Sequence, residues 1–439
     1  VISDTIVALA TPPGPSALAL VRLSGPDAIS IVRKYFSKAL SPRQAHYGWF
    51  VKDGQRIDDV IVSFFQGKAS YTGEDLIEIS SHGNMLIVNL IMNALCREGA
   101  RMATAGEFTQ RAFLNGKMDL AQAEAVMDLI HARSERSLEA ARRLKDGVLS
   151  QKVLHMQEDL LTLLAHLEAY IDFPDEDISP DVGANFLIQI RNLTEKTDAL
   201  LTTTQQGRML REGLTVALVG KPNAGKSSLL NALLQEPRAI VSPAPGTTRD
   251  TIDAGMILEG ISLKLIDTAG IHESDDEIER LGIARTRTAA RNADLILFIQ
   301  DGTISPESWT ELQLEGKAPV LSCRTKSDLS SFQPAEGIAL STLTGNGLSQ
   351  LRAEMIRVLQ IDESAASQDY VAINARHEAA LHQAKLSLAK AASLIQSSEP
   401  PEFISSDLRG ALSYFGEIVG ASTNEDILDR LFKTFCIGK

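Results

Sequence analysis

The sequence predicts a multidomain protein of α/β and α class. We expect an N-terminal α+β domain, a helical bundle discontinuous in sequence, and an inserted domain with a phosphate-binding loop and a mostly parallel sheet. Three observations predict this. The chain has 439 residues, room for about three domains at roughly 150 residues each. Its texture changes near residues 118, 214 and 359, from mixed strands and helices to helical stripes, then to strand–loop–helix alternation, then back to helices. A glycine-rich loop, Gly220–Ser227, also joins an apolar run to a helical one, which is the context a phosphate loop needs. The expected boundaries are 1–117, 118–210, 211–362 and 363–439.

In the first segment, Thr5–Ala10 and Leu18–Leu23 are apolar runs separated by Pro12-Pro13-Gly14-Pro15. Val60–Phe65 and Leu76–Ile79 read as strands and Met85–Cys96 as a helix, with turn residues between them. From residue 118, Leu120, Ala123, Met127, Ile130, Leu138, Ala141, Leu144 and Val148 recur at three- and four-residue spacings. That is the stripe of an amphipathic helix. Val153, Met156, Leu160, Leu163, Leu167 and Tyr170 continue it, Asp172–Pro180 breaks it, and 184–206 resumes it. Core packing in a bundle explains these stripes. Next, Thr215–Val219, Leu263–Ile266, Leu295–Ile299, Pro319–Leu321 and Ile338–Leu340 are short β-type runs with helical segments between most of them. Such alternation argues for a parallel sheet flanked by helices. Arg376–Ile395, Asp407–Val419 and Asn424–Phe435 are helical again, and Ser422 with Glu425 fits a capping box. The two helical regions are expected to pack together.

Composition narrows the function classes. Hydrophobic residues make up 44%, enough for several cores and against global disorder. No run approaches the roughly 18 apolar residues of a membrane span, and Val1–Ala10 lacks the basic start of a signal peptide. Cys96, Cys323 and Cys436 are an odd, scattered set, so we expect no disulfide framework and a reducing, cytoplasmic setting. With 43 basic against 56 acidic residues the net charge is −13, which speaks against a diffuse basic grip on nucleic acid. Any contact with RNA must use a local patch or a partner.

The loop Gly220-Lys221-Pro222-Asn223-Ala224-Gly225-Lys226-Ser227, continued by Ser228, matches G-x-x-x-x-G-K-[ST]. Its glycines let backbone N–H groups approach phosphate oxygens, and the helix that follows points its positive end at them. Lys226 is placed to reach the β- and γ-phosphates and Ser227 to ligate Mg²⁺. Asp267-Thr268-Ala269-Gly270 follows a strand: Asp267 is suited to hold Mg²⁺ through water and the Gly270 amide to sense the γ-phosphate. In the loop Pro245–Asp250, Thr248 is the hydroxyl placed to complete the Mg²⁺ shell. Thr325-Lys326-Ser327-Asp328 follows another strand, and the Asp328 carboxylate can accept from guanine N1 and N2, donors that adenine lacks. Thr325 stands where GTPases usually carry Asn. Ser341-Thr342-Leu343 occupies the place of a Ser-Ala-Lys type loop and departs from it after Ser341.

In this order the motifs resemble a translation-factor-class GTPase. Thr11–Gly14, Tyr71–Asp75, Leu114–Ala125 and the terminal Phe435-Cys436-Ile437-Gly438-Lys439 then resemble the MnmE (TrmE) family of tRNA-modification GTPases over the whole chain. The resemblance implies an N-terminal folate-binding and dimerisation domain, a split helical domain, and an inserted Ras-like G domain. It implies a homodimer that works with the flavoprotein MnmG (GidA) in a heterotetramer or larger complex. That complex adds an aminomethyl or carboxymethylaminomethyl group to carbon 5 of the wobble uridine of certain tRNAs. The one-carbon unit comes from 5-formyl- or methylene-tetrahydrofolate. Arg22, Glu78, Lys117 and Lys439 are the folate candidates by motif: a carboxylate suits pterin donors, and cations suit the glutamate tail. The family also uses K⁺ beside the phosphates, for which Asn223, Ser242, Ala244 and Thr247 are the matching ligands, Ser242 and Thr247 also counting among the GTP-binding residues. Ile271 stands where Ras-type enzymes place a water-orienting Gln, and Glu279 matches the glutamate the family uses in its place.

Cys436 is a further candidate catalytic residue from its terminal setting, although no base is identifiable beside it. His82 and His377 read as structural, since neither has a metal-spaced partner. Two other function classes fit the G domain: a ribosome-assembly switch that binds RNA without modifying it, and a folate-dependent one-carbon transferase with a regulatory G domain. The acidic balance and the N-terminal motifs weigh against the ribosomal switch.

Overall fold

A computed structural model describes residues 4–172, 184–234, 254–267, 288–306, 318–361, 371–422 and 425–438. The chain gathers into two compact units, one of 1–127, 145–194 and 380–439, the other of 128–144 and 195–379.

The first unit is built on a six-stranded sheet. Its strands are β1 (Ile6–Leu9), β2 (Ser16–Ser24), β3 (Ala45–Lys52), β4 (Gln55–Phe65), β5 (Leu76–Gly83) and β6 (Arg101–Met102), in the order β3-β4-β5-β2-β1-β6. All neighbours are antiparallel except β1 and β6. Alternation sends Val60, Val62, Ile77, Ile79, Val21 and Leu23 to one face. There they meet Val88, Ile91 and Leu95 of the helix Met85–Arg97. That helix starts where the Asn84 side chain accepts from the Leu86 N–H at 2.9 Å, which satisfies one of the orphan donors of a helix start. Strand β3 was not anticipated. Gly48 breaks its apolar pattern because a Cβ there would meet the Phe36 ring at 2.7 Å.

The helical layer of this unit is discontinuous, as expected. The helix Val148–Asp172 buries Val153, Met156, Leu160, Leu163 and Leu167. It packs against Pro401–Val419, with Gln157 donating to the Leu412 carbonyl and Arg409 paired to Glu168 at 2.7 Å. Phe432 and Phe435 at the C-terminus join Leu120, Ala123 and Met127 in one cluster.

The single stripe expected from 118 to 148 is in fact three helices: Leu120–His131, Glu135–Lys145 and the start of Val148–Asp172. The cause is local. Ser134 Oγ accepts from the Ser137 N–H at 3.1 Å, and Ser137 Oγ accepts from the Ser134 N–H at 3.0 Å, so a new helix is capped inside the apolar period. Gly147, at φ 85°, ends it.

The second unit carries the other sheet: β7 (Leu214–Val219), β8 (Ala254–Leu258), β9 (Ile261–Asp267), β10 (Leu295–Asp301), β11 (Val320–Thr325) and β12 (Ile338–Ala339). Its order is β12-β11-β10-β7-β9-β8, parallel throughout except for the β8–β9 hairpin at one edge. The central strands β7 and β10 are apolar on both faces, as helix-covered parallel strands must be; Leu295–Phe298 are all buried. The helices Lys226–Leu234 and Leu348–Val358 place Leu229, Leu233, Leu351 and Met355 in the core. Strand order reverses around β7, and ligand crevices form outside the carboxyl ends of strands at such a point.

Candidate functional site

The Gly220–Ser227 loop leaves β7 at that point and runs into the helix Lys226–Leu234. Gly220 is obligatory, because a Cβ there would lie 2.1 Å from the Ile299 carbonyl oxygen of β10. Gly225 sits at φ 93° and Asn223 at φ 62°, left-handed conformations that Gly adopts freely and Asn tolerates best among the other residues. The loop therefore turns back on itself with its amides concentrated at the helix start. Lys226 is buried, and its Nζ donates to the Gly220 and Lys221 carbonyls at 2.7 and 2.6 Å. Burial lowers its affinity for the proton, and the nearby Asp267 carboxylate opposes that. A buried ammonium held only by neutral carbonyls in these bonds is poised for an anion. Ser227 Oγ donates to Asp267 Oδ2 at 2.9 Å. The two motifs, 40 residues apart, meet here.

The base-side loops are also brought together. Thr325 is buried, and its hydroxyl lies 2.7 Å from the Ala224 carbonyl and 3.1 Å from that of Gln300. It therefore straps the phosphate loop to β10 and β11. Ser327 N–H donates to the Leu340 carbonyl, and Leu340 N–H to that of Arg324, which sets the Ser341 loop beside Asp328. Ser341 is buried, and its Oγ accepts from the Thr344 N–H. Lys326 Nζ pairs with Asp301 Oδ2 at 2.5 Å. That bond, helped by Thr303, holds Asp301 at about 2. Asp328 is exposed at the loop tip, as are Asn223, Ser227 and Ser228. Ser242, Ala244, Thr247, Thr248, Gly270 and Glu279 lie outside the described residues.

In the first unit, Arg22 and Glu78 face each other across β2 and β5, with Arg22 Nη2 2.7 Å from Glu78 Oε1. Arg22 Nη1 also donates to the Gly438 carbonyl, so the C-terminal segment reaches this pair. Lys117 does not join it; its Nζ donates to the Lys68 carbonyl. Lys439 lies outside the described residues. Cys436 is exposed, and its carbonyl accepts from the Gly106 N–H. His377 is structural, as read: it is buried, with its N–H bonded to Asn374 Oδ1.

Sequence reading missed an ion cluster built around a buried arginine in the same unit. Arg111, with 0% exposure, reaches Asp4 at 2.7 Å, Glu107 at 2.9 Å and Glu74 at 3.3 Å. Arg101 pairs with Asp4 at 2.7 Å and Glu107 at 2.6 Å. Burial by itself would raise the Glu107 carboxyl; hydrogen bonds from Arg101, Thr104 and Arg111 overcome it and hold the group at about 2. The cluster accounts for Glu74 of the Tyr71–Asp75 motif, and nearby turns account for Thr72 and Asp75. Glu74 serves Arg111 and accepts from Ser24 Oγ, Thr72 bonds Ser24, and Asp75 caps the Gly67 N–H. In the Leu114–Ala125 motif, Asn115 donates to the Thr72 carbonyl, and Asp119 and Gln122 form a reciprocal capping box. His82 was misread in one respect. Asp58 and Asp59 stand beside it, brought there by the pairing of β4 with β5.

A six-stranded sheet of this order, with a phosphate loop at the end of its central strand and Asp267 opposite Ser227, defines a P-loop G domain. The parts around it are more specific: the chain belongs to the MnmE (TrmE) family of tRNA-modification GTPases. The model of the MnmE helical domain matches residues 120–436, and that of the GTP-binding protein TrmE N-terminus matches 5–117. The tRNA modification GTPase MnmE of Akkermansia muciniphila is 44% identical over 450 residues, covering 99% of each chain. Those of Moorella thermoacetica and Alkaliphilus metalliredigens are 42% and 40% identical over the full length of both chains. Among solved structures, a point variant of Era of Aquifex aeolicus bound to GDP and AlF4− is similar over 40% of this chain and 66% of its own, at 26% identity and a TM-score of 0.26.

Proposed function

We propose that this chain binds and hydrolyses GTP in the modification of tRNA at the wobble uridine, acting as a homodimer with a flavoprotein partner of the MnmG type in the cytoplasm. The observation that carries the GTPase part is the convergence of Lys226, Ser227 and Asp267 at the switch point of the parallel sheet. The Gly220–Ser227 amides and Lys226 bind and orient the phosphates. Ser227 Oγ, at the start of the helix Lys226–Leu234, and Asp267 Oδ2, at the end of β9, are hard oxygen donors that suit Mg²⁺. When bound, that ion neutralises charge developing between the β- and γ-phosphates. Asn223 offers an exposed oxygen of the type K⁺ requires. Asp328 selects guanine, and Thr325 holds its loop against the phosphate loop. In this reading Glu279 orients the attacking water.

The N-terminal unit is proposed to take the tetrahydrofolate derivative at Arg22 and Glu78. Their opposite charges, partial exposure and closeness to Gly438 suit a ligand with both carboxylates and paired ring donors. The proposed domain limits are those given above, with 1–117 the folate and dimerisation part. Mass analysis of tRNA nucleosides from cells lacking the chain tests the whole reading: the modified wobble uridine should be missing, and an unchanged nucleoside overturns it.

A further inference from the structure

On the first sheet, β4 and β5 remain paired up to Ile61 and Ser80 and then part. Just past that point Asp58 bridges the gap with its side chain. Asp58 Oδ2 accepts from the His82 N–H at 2.8 Å, and Asp58 Oδ1 lies 2.8 Å from His82 Nδ1. Asp59 Oδ1 lies 3.8 Å from the same nitrogen. One oxygen from each carboxylate and one ring nitrogen thus fall within 4.8 Å of one another. The Asp58 side chain is 7% exposed and that of His82 61%, so the group is anchored inside and open outside. The Tyr47 hydroxyl donates to the other oxygen of Asp59 at 3.2 Å, which orients that carboxylate. Arg56 is stacked on the Trp49 ring at 4.6 Å.

We propose that Asp58, Asp59 and His82 form a binding site for a divalent transition metal of the Zn²⁺ type. Metal bonds of about 2.0–2.2 Å in tetrahedral geometry place donors roughly 3.3–3.5 Å apart. The observed 2.8 and 3.8 Å from His82 Nδ1 bracket that spacing, and the two carboxylate oxygens lie within 4.8 Å of each other. It replaces the hydrogen that His82 Nδ1 shares with Asp58. Two carboxylates match a divalent charge. The imidazole nitrogen selects a borderline ion over Mg²⁺ or Ca²⁺, which prefer oxygen alone. Asp58 holds the His82 backbone as well as its ring, and Tyr47 holds Asp59; supports of this kind keep ligands in place before the metal arrives. Three protein ligands leave at least one position for water or an exogenous ligand.

The test is Zn²⁺ titration of the full chain, stripped of metal and then saturated with Mg²⁺ and GDP so that the phosphate loop does not take up Zn²⁺. Wild type should bind one Zn²⁺ per chain at this site. His82→Ala should lose it or weaken it by roughly tenfold or more. Asp59→Asn keeps the Asp58–His82 pair and should also weaken binding. Substitution with Co²⁺ should give wild type a visible absorption that His82→Ala lacks. Equal Zn²⁺ binding by all three proteins, no binding by wild type, or a loss in His82→Ala alone would overturn the site.

Discussion

The phosphate loop and the N-terminal ion cluster solve the same problem, a buried cation, in opposite ways. Lys226 is buried against neutral carbonyls of its own loop, all within six residues. Arg111 is buried among carboxylates drawn from residues 4, 74 and 107. The first arrangement keeps the charge available to an incoming anion. The second neutralises it within the fold. A buried cation whose counter-ions bond to it within the fold is architecture; one bonded to neutral carbonyls, with the nearby Asp267 carboxylate bonded by Ser227 instead, stays open to an anion.

The contrast can be broken most sharply at Lys226. Lys226→Ala should lower GTP hydrolysis by about 10²–10³-fold, the scale of removing one aimed electrostatic group, while circular dichroism and the thermal transition stay near wild type. A large loss of stability would mean that Lys226 is structural, like Arg111. Arg111→Ala is the reciprocal test. It leaves Glu107 and Glu74 without their buried partner and should cost about 3–5 kcal/mol. Denaturant unfolding should show this in the first unit, with GTP affinity little changed at temperatures where the variant is folded.

A smaller effect is expected at the loop tip. Asp328→Asn turns a base acceptor into a donor and should reduce the preference for GTP over XTP by roughly ten- to a hundredfold, the worth of one charge-assisted bond. An unchanged ratio in competition binding would remove Asp328 from base reading.

The smallest effect is the pH dependence of Glu107. Its folded value, about 2, lies below the roughly 4.3 of a free glutamate. Its contribution is therefore complete above about pH 4.3 and lost as the pH falls toward 2. Glu107→Gln should be less stable than wild type at neutral pH, and the gap should close across that window. A constant gap in denaturant midpoints would show that the carboxylate charge is not what the cluster uses.

The family-specific motifs Tyr71–Asp75 and Leu114–Ala125 were recognisable as patterns, but their roles were not. Thr72, Glu74, Asn115 and Asp119 each serve partners that complete a turn, a capping box or the Arg111 cluster. Arg101, Glu107 and Arg111 look like ordinary helix and surface charges in a linear reading. Only burial separates Glu107 and Arg111 from their neighbours, and only its partners separate the exposed Arg101. Ser134 and Gly147 did carry a local signal, a cap and a stop, but the apolar period ran through both and concealed the break.

The sequence by itself determined the phosphate loop, the parallel sheet that carries it, and the amphipathic helices on either side. Those features depend on bonds within a few residues and on periods of two and 3.6, which a linear chain displays directly. Tertiary structure alone decided that Asp267 meets Ser227, that Thr325 ties the phosphate loop to β10, that Arg22 finds Glu78 while Lys117 turns away, and that Asp58 and Asp59 close on His82. These contacts join residues from 23 to 101 positions apart, or turn one away. The pairing register and the burial that create them are properties of the assembled sheets, because a one-residue slip in a strand would send every side chain to the other face.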